Sequence, residues 1–500
     1  MAYRSTIAIG DEPLSLEAVE AIARRRVDIE LSAAARARIR AGRAIVDRAV
    51  RERRPVYGVT TGVGSQKDFA VDPASINAFN DRLITAHATL APGPAAETVT
   101  VRAALAIQLA LFASGRSGVR PELAESLLAR LQSDDLPAAR LGSSVGASDI
   151  VAMSQLAAPL IARNSELAGS GPVPLGGLQA KEALSLMNSN CLTLAGAALA
   201  VAECRRLLDV AALTAALSLE GFRGNPLAWS EAVDRARGQP GQLRAGHALR
   251  AALADSRLWQ AGVSRLLQDP LSFRCVPQIH GAAESAYAFA SELITRDLSA
   301  ICDNPLIDLD AGTLISHGNM ESTACALGLD ALRIALAKLI VAAGERIHKL
   351  QWPGFSGLPN GLAAEQGAVG GVQFLNLGHI ASAAVAAVCQ AANPATLQFR
   401  GQICDGVEDV GGSAPLAVSE TTRALAPAWN VLGVEAACAV WAITIRAVPV
   451  ADLGNGVRAI AARVRPLLPI GREGEQLFDL GEVVAVLQQG PAATDADDAR

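Results

Sequence analysis

The residues most able to do chemistry lie in short polar stretches that interrupt an otherwise apolar chain. Residues 142–149 combine small residues, where a backbone can turn tightly, with Ser148, which could be chemically changed, and Asp149, which is placed to cap the following helix. Residues 57–64 contain Tyr57 and are too rich in glycine for a helix, so we expect a loop, and loops often carry function. The remaining stretches are His87, Asn188, 268–274, 303–306 and 406–409.

Three familiar kinds of site account poorly for these stretches. Ser144 satisfies the G-x-S-x-G pattern of a hydrolase nucleophile elbow, but that motif needs a preceding strand in a parallel sheet, which the sequence does not predict. The six histidines show neither an HExxH pattern nor clustered spacing, so no metal site is expected. Gly62 and Gly64 form only half of a dinucleotide-binding fingerprint. Each polar stretch alone is equally consistent with a turn or a helix cap.

The elements that must position these residues are predicted to be helices. Of the 500 residues, 51% are hydrophobic but only 4% are aromatic, so the core consists mainly of Ala, Leu, Val and Ile, which favours closely spaced helices. One arm of a hairpin is predicted at 312–316, and no βαβ alternation is apparent. The pattern therefore indicates an all-α bundle of long helices with a small mixed N-terminal part. Helices are predicted to begin near Ser15 and Ala33 and to span 77–88, 98–115, 121–132, 150–164, 181–188, 192–219, 278–299, 321–350, 373–392 and 428–447.

Charge and cysteine usage narrow the choice of partners and compartment. Lys and Arg number 44 against 49 Asp and Glu, with both signs interspersed, so we expect no surface for nucleic acid or anionic lipid. Eight scattered cysteines without a CxxC pair, and an N-terminus without a signal-peptide pattern, favour the cytoplasm. Residues 366–399 carry no charged side chain, but their glycines, Asn376 and His379 suit a bundle helix better than a membrane span.

Taken together and in this order, the polar stretches are much more specific than any one of them. The chain resembles the histidine/phenylalanine/tyrosine ammonia-lyase family over nearly its whole length. The family patterns are Tyr-Gly-x-x-Thr-Gly-x-Gly, met at 57–64; Gly-Ser-Val-Gly-Ala-Ser-Gly-Asp, met with one departure at 144–149; Gln-Asp-x-Tyr-Ser-x-Arg, met at 268–274; Asp-Asn-Pro, met at 303–305; and Gln-Glu-Asp, met at 407–409. The resemblance implies an all-α fold of the ammonia-lyase/fumarase-aspartase type, assembled as a homotetramer with shared active sites.

The resemblance also implies a reaction, the elimination of ammonia from an amino acid to give an α,β-unsaturated acid. Family enzymes use an electrophile, 4-methylidene-imidazol-5-one (MIO), made from an Ala-Ser-Gly tripeptide; the matching residues are Ala147, Ser148 and Asp149, and if they do not cyclise there is no cofactor. The implied roles are Tyr57 as the base for the β proton, Arg274 as a two-point clamp on the substrate carboxylate, Asn304 as its support, Asn188 as a partner of the electrophile, Glu408 at the amine or side chain, and His87, Gln268, Leu271 and Met320 as substrate-binding positions.

The departures from the family pattern collect around the electrophile. Asp149 follows Ser148 directly, so the glycine whose amide nitrogen cyclises is missing. Leu271 replaces a tyrosine, Met320 replaces a common aromatic residue, and Asn-Ser-Asn at 188–190 replaces Asn-Gly-Thr. The base and the carboxylate clamp are intact.

These departures leave four hypotheses open. The chain is a lyase with an unusual MIO; a lyase that removes a quaternary amine directly from a betaine such as ergothioneine, with Glu408 facing the fixed charge; an aminomutase; or a non-catalytic protein that binds a small carboxylate. His87 and Glu408 favour a histidine-like side chain. The predicted domains are an N-terminal domain at 1–190, a long-helix bundle at 191–485 and a disordered tail at 486–500.

Overall fold

The computed structural model describes residues 4–90, 93–133, 135–161, 177–363, 375–398, 401–469 and 477–490. Its fold is all-α, as predicted, with few and short strands. The α-helices are α1 (Leu16–Ala23), α2 (Ala33–Arg51), α3 (Ile76–His87), α4 (Thr98–Ala113), α5 (Pro121–Gln132), α6 (Ile150–Ile161), α7 (Glu182–Met187), α8 (Cys191–Phe222), α9 (Glu231–Arg237), α10 (Pro240–Ala252), α11 (Leu271–Arg274), α12 (Val276–Leu298), α13 (Thr323–Gln351), α14 (Pro353–Ser356), α15 (Leu375–Ala391), α16 (Ala414–Ile445), α17 (Asn455–Val464) and α18 (Leu480–Gln488).

Local signals in the sequence explain where the first helices begin. Ser15 accepts a hydrogen bond from the amide of Ala18 at 3.1 Å, and Ser32 accepts one from Ala35 at 3.0 Å, so each serine caps a helix N-terminus. Pro121 occupies the first turn of α5, where its missing N–H costs nothing. The predicted end of α6 at 164 falls outside the described residues, as does the tail from 491 onward, whereas residues 486–488 belong to α18 and are not disordered.

The N-terminal part contains a small βαβ unit, which corrects the expectation of no such alternation. Strands β1 (Thr6–Ile9) and β2 (Asp28–Leu31) pair in parallel, and α1 forms the crossover between them. Each strand has only four residues, and β2 alternates exposed and buried positions, so neither produces a long apolar run. The predicted hairpin arm is confirmed: β3 (Leu306–Asp308) pairs antiparallel with β4 (Thr313–Ile315).

Helix α16 begins fourteen residues before the predicted start at 428, so that start was wrong, and the helix contains Pro427 in its interior. A proline inside a helix costs about 3 kcal/mol because it removes a hydrogen bond and crowds the preceding turn. Buried side chains on both sides of it, including Ala417, Ala424 and Trp429, offset that cost. This helix and the segment Glu182–Phe222 are long and apolar enough to cross a membrane by composition, but 83% of the apolar window of each is buried, as in a core helix.

The contacts group the chain into two compact units. Unit 1 comprises residues 1–202, 290–329 and 394–419, and unit 2 comprises residues 203–289, 330–393 and 420–500. The division into consecutive domains at residues 190 and 485 stays a prediction. Unit 1 has a small apolar core of Val46, Val59, Ile76, Ala180 and Ile307, which lies beneath the loop that contains Tyr57.

Candidate active site

The turn at 144–149 holds Ser148 in a backbone conformation that is unusual for a residue with a side chain. Its φ is +69°, and the residue is only 2% exposed. Two side chains fix it there: the amide of Ser148 donates to Oδ1 of Asn190 at 2.9 Å, and its hydroxyl donates to Oδ1 of Asn188 at 2.5 Å. Such a conformation persists only where the surroundings determine it, and it is a common feature of functional sites.

Asp149 does not cap the helix that follows it, contrary to the prediction. Its carboxylate accepts hydrogen bonds from the amide and the hydroxyl of Thr193, at 2.8 and 2.6 Å, and so caps the first turn of α8 instead. Its own amide donates to the carbonyl of Ser189 at 2.8 Å. Burial raises the pKa of the Asp149 carboxyl, while the hydrogen bonds from Thr193 act in the opposite direction. Asp149 is therefore a structural link between the turn and α8.

Three asparagines connect the turn to two other parts of unit 1. Asn188, at the C-terminal end of α7, donates from Nδ2 to the carbonyl of Asn304 at 3.4 Å. Asn304 accepts at Oδ1 from the amide of His317 at 2.8 Å, so the hairpin fixes the orientation of its side chain. Asn190 donates from Nδ2 to the carbonyl of Met320 at 2.7 Å. The structure thus places Ser148, Asn188, Asn304 and Met320 in one hydrogen-bonded cluster.

The loop at 57–64 folds back on itself and packs on α7, the helix that precedes Asn188. The hydroxyl of Tyr57 accepts a hydrogen bond from the amide of Gly64 at 3.0 Å, which holds the phenol oxygen at the end of the loop. Gly58 has a φ of +63°, and a Cβ there would lie 2.1 Å from Cδ1 of Leu184 in α7. Only glycine allows this close approach, so the loop is seated on the helix that ends at Asn188.

Glu408 lies on a tight turn, residues 403–408, whose Cys404 side chain lies close to the end of the tyrosine loop. Ile403 and Glu408 exchange two backbone hydrogen bonds, at 2.9 and 3.1 Å. Cys404, inside the turn, has Sγ 3.9 Å from Oε1 of Glu408, and a Cβ added to Gly64 would lie 3.5 Å from that sulfur. Partial burial raises the pKa of the Cys404 thiol, and the nearby Glu408 carboxylate adds to the effect. Cys404 therefore lies between Gly64, at the end of the loop, and the carboxylate of Glu408.

Two further close contacts join residues 411–413 to the turn at 144–149. A Cβ on Gly146 would lie 2.5 Å from the amide nitrogen of Ser413, and one on Gly411 would lie 2.3 Å from the carbonyl oxygen of Val145. Glycines therefore allow the two backbones to touch at residues 145 and 146, immediately before Ala147, which itself pairs with Glu321. The structure places Tyr57, Glu408 and residues 147–149 on neighbouring segments of unit 1.

His87 is the last residue of α3, and its ring orientation is defined. Nδ1 donates to the carbonyl of Leu83 at 2.8 Å, which leaves Nε2 as the nitrogen able to accept a hydrogen bond. Asn80, on the same helix, accepts from the amide of Ala183 at 3.1 Å and so ties α3 to α7. Helix α3 also packs against α6, the helix that follows the Ser148 turn.

The other three predicted site residues belong to unit 2. Gln268 and Leu271 are exposed, and Leu271 begins the four-residue helix α11, which ends with Arg274. Trp229 donates to the carbonyl of Phe273 at 2.8 Å, and Phe273 stacks on Phe222, so the turn that carries Arg274 is rigid. Nε of Arg274 is buried and, among the described residues, has no hydrogen-bond partner. It is a cationic donor available for a ligand.

Sequence reasoning missed four residues that build the cluster: Asn190, Thr193, Lys181 and Asp303. The last two form a fully buried ion pair, with Nζ of Lys181 2.7 Å from Oδ2 of Asp303. The signal for Asp303 was present in the Asp-Asn-Pro pattern but was read for its asparagine alone. Within the described residues, no group of three or more His, Cys, Asp or Glu side chains is placed to hold a metal ion, and the eight cysteines are free.

Comparison with known proteins gives consistent results along the chain. The family model for aromatic amino acid lyases matches residues 14–466. Histidine ammonia-lyase from Anaeromyxobacter dehalogenans is 35% identical over 386 residues, which cover 72% of this chain and 75% of that protein.

Two solved structures share the fold over almost their whole length. Ergothionase from Treponema denticola, in complex with desmethyl-ergothioneine sulfonic acid, is 27% identical with a TM-score of 0.88, covering 97% of this chain and 98% of that one. Tyrosine aminomutase from Streptomyces globisporus is 25% identical with a TM-score of 0.87, covering 98% and 97%.

Proposed function

The chain belongs to the aromatic amino acid lyase family and is a carbon–nitrogen lyase, and we propose that it eliminates a quaternary amine from the betaine of a histidine-like amino acid without an MIO group. The observation that carries this proposal is the position of Asp149. The product is the corresponding α,β-unsaturated acid together with a tertiary amine.

The residues of the turn do not fit the MIO group of the family. Cyclisation joins the amide nitrogen of the third residue to the carbonyl carbon of the first, which here means Asp149 onto Ala147. That nitrogen donates its hydrogen to the buried carbonyl of Ser189, and the Asp149 side chain is anchored to Thr193. Ring formation would remove the N–H, leave the Ser189 carbonyl unpaired at a cost of about 1–3 kcal/mol, and pull the carboxylate from α8. We therefore derive no step through this group.

A quaternary amine makes elimination possible without an added electrophile. In an ordinary α-amino acid the ammonium group is more acidic than the β carbon, so a base takes the nitrogen proton first and leaves a poor leaving group. A trimethylammonium group has no N–H and keeps its positive charge. When the base takes the β proton, the C–H electrons form the double bond, and the C–N electrons leave with neutral trimethylamine.

Individual side chains are assigned the remaining requirements. Tyr57 is the proposed base: its phenol oxygen takes the β proton and then returns a proton to solvent. Glu408, near the end of the same loop, faces the fixed positive charge. The Nδ2 group of Asn304 contacts the substrate carboxylate, and Nε2 of His87 accepts from the imidazole ring. Arg274, Gln268, Leu271 and Met320 keep the roles that the family resemblance implies, Arg274 as the clamp on the substrate carboxylate and the other three as substrate-binding positions.

The proposal is tested by measuring both possible amine products from paired substrates. The purified chain is incubated with histidine betaine, ergothioneine and histidine, and trimethylamine, ammonia and the absorbance of the unsaturated acid are followed. We expect trimethylamine and an absorbing product from a betaine, and no ammonia from histidine. Release of ammonia from histidine at a comparable rate would overturn the proposal. An intact mass two water molecules below that of the encoded chain, with the loss localised to residues 147–149, would do the same.

A second candidate is ordinary ammonia elimination from histidine. The 35% identity with a histidine ammonia-lyase favours it. It requires the buried contacts of Asp149 to break during maturation, so it predicts the mass loss just described. An aminomutase is distinguished by a β-amino acid product, and a non-catalytic protein by binding without turnover.

We further propose that the chain acts as a cytoplasmic homotetramer with shared active sites. Several large apolar side chains of unit 1 are exposed, including Leu90 and Leu397, each 81% exposed, and Val410, 73% exposed. Burial of exposed apolar side chains against another chain favours assembly. Light scattering of the purified protein tests the oligomeric state, and a monomer would contradict it.

A further inference from the structure

A buried ion pair between Lys181 and Asp303 joins the segments that carry Asn188 and Asn304. Both side chains are fully buried, and Nζ of Lys181 is 2.7 Å from Oδ2 of Asp303. Asp303 immediately precedes Asn304 in the chain, and Lys181 immediately precedes α7, the helix that ends at Asn188. The pair therefore joins the two segments that carry these asparagines.

The hydrogen bonds around the pair leave little freedom to either partner. Lys181 also donates to the hydroxyl of Ser185 at 2.9 Å, and Asp303 accepts at Oδ1 from the hydroxyl of Ser117 at 3.1 Å. Ser185 in turn donates to the carbonyl of Ser117 at 2.8 Å. With charges paired and hydroxyls placed on both sides, the network is directional as well as attractive.

The geometry of α7 carries this constraint to the site. Lys181 adopts a φ of +75°, an unusual conformation that directs its side chain along the helix toward Ser185, one turn before Asn188. The helix has six residues, so it is about 9 Å long and too short to bend. At its far end, Asn188 contacts the Asn304 carbonyl at 3.4 Å. The ion pair and this contact thus hold the two segments together at two points.

We infer that Lys181 and Asp303 are positioning residues that set the separation between Asn188 and Asn304, and hence between the Ser148 hydroxyl and the substrate carboxylate. This inference rests on the roles given to Asn188 and Asn304 in the proposed function. The alternative is that the pair contributes only to stability. A buried ion pair is poor evidence for stability, because well-packed apolar residues often serve as well or better.

The test separates stability from position with one single and one double variant. Asp303→Asn leaves Lys181 as an unpaired buried charge, whereas Lys181→Met/Asp303→Leu removes both charges and keeps the volume. We expect Asp303→Asn to lower both the thermal midpoint and kcat/KM, the latter by about 100-fold, as a displacement of about 1 Å can do. We expect the double variant to recover the thermal midpoint but not kcat/KM. Recovery of kcat/KM together with stability would overturn the inference.

The matched control is Asp234→Asn in unit 2. Asp234 is also fully buried, paired with Arg250 and bonded to Gln242 at 2.9 Å, but it belongs to α9. We expect a comparable fall in thermal midpoint with kcat/KM within about twofold of the parent at temperatures where the variant is folded. A 100-fold loss in this control as well would show that buried acids in general, rather than Asp303 in particular, sustain activity, and would overturn the inference.

A readout independent of turnover separates this inference from the proposed function. Amide hydrogen exchange is followed at residues 185–190 and 303–306 in the full chain. We expect both segments to exchange faster together in Asp303→Asn, and neither to change in Asp234→Asn. Unchanged exchange in both segments overturns the inference. If the parent protein turns over none of the offered substrates, the proposed function fails, while this exchange result still decides the role of the ion pair.

Discussion

The loop at 57–64 and the turn at 144–149 meet the same conformational demand with different residues. In the loop, Gly58 and Gly64 take positive φ values of +63° and +57°. In the turn, Gly146 does so at +86°, but Ser148 also does so at +69°. Glycine adopts such values freely, whereas a residue with a side chain is strained by about 1–2 kcal/mol.

The two regions differ in how closely they match the family pattern and in which side chains hold them. The loop matches every residue of the family pattern, and it combines glycines with hydrogen bonds between side chains and main chain at Tyr57, Thr60 and Thr61. The turn lacks the glycine of the family pattern after Ser148 and is held by side chains, namely Asn188 and Asn190 on Ser148 and Thr193 on Asp149. Our proposal of elimination without the MIO group rests on this difference between the loop and the turn.

The largest effect is expected for Tyr57→Phe in the loop. Removing the hydroxyl removes the proposed base, so we expect kcat for trimethylamine release to fall by about 10³-fold, which corresponds to about 4 kcal/mol of barrier. The hydroxyl contributes one hydrogen bond to Gly64, so the thermal midpoint changes little. Steady-state kinetics and thermal unfolding measure the two quantities. An active Tyr57→Phe enzyme would show that another group takes the β proton.

The next effect is a loss of stability in Gly58→Ala. The new Cβ must occupy a left-handed conformation and would lie 2.1 Å from the Leu184 side chain. Together these cost about 3 kcal/mol of unfolding free energy. Chemical denaturation measures it, with Gly142→Ala as the control, because Gly142 has positive φ but open space around it. Equal losses in the two variants would mean that Leu184 yields without cost and that the loop is not seated on α7.

Much of this fold and site follows from the sequence, for reasons that these two regions illustrate. Helical spacing of apolar residues and serine caps gave the helix positions, because both signals are local. The loop was found because glycines at fixed spacing around Tyr57 have a single geometric purpose. Residues 303–305 were found as a turn.

What the sequence did not give depends on contacts between distant residues. Asp149 was expected to cap the helix beside it, yet it caps α8, 44 residues further on. The partner of Asp303 is Lys181, 122 residues away, and the sequence around either residue does not predict this pairing. Helix α16 runs through Pro427 because burial outweighs a local penalty. Each of these outcomes is decided by tertiary packing, which local patterns do not encode.

A smaller effect, with a defined dependence on pH, is expected for Asp149→Ala. Loss of the cap on α8 costs about 2 kcal/mol of unfolding free energy. Burial raises the pKa of the folded-state carboxyl above its ordinary value of 3.8, so the folded state binds the proton more tightly than the unfolded state. The contribution of Asp149 is therefore fully present below pH 3.8 and declines as the pH rises through the folded-state pKa. Denaturant unfolding from pH 4 to 7 should show a variant penalty that shrinks toward pH 7. A penalty that grows instead would mean that the bonds from Thr193 outweigh burial.

The smallest expected effects come from variants that measure the free-energy cost of positive φ in the loop and in the turn. Gly64→Ala places a Cβ at an ordinary distance of 3.5 Å from the Cys404 sulfur, so it reports only the cost of positive φ, about 1 kcal/mol. Ser148→Ala keeps that cost and loses the hydrogen bond to Asn188, for about 1 kcal/mol. Ser148→Gly loses the same bond but relieves the backbone, so its unfolding free energy stays within about 0.5 kcal/mol of the parent. The difference in unfolding free energy between Ser148→Gly and Ser148→Ala should equal the loss caused by Gly64→Ala, because both quantities measure the cost of a positive φ in a residue with a side chain. If Ser148→Gly is instead as unstable as Ser148→Ala, the turn carries no backbone strain, and loss of the hydrogen bond from the Ser148 hydroxyl to Asn188 accounts for both penalties.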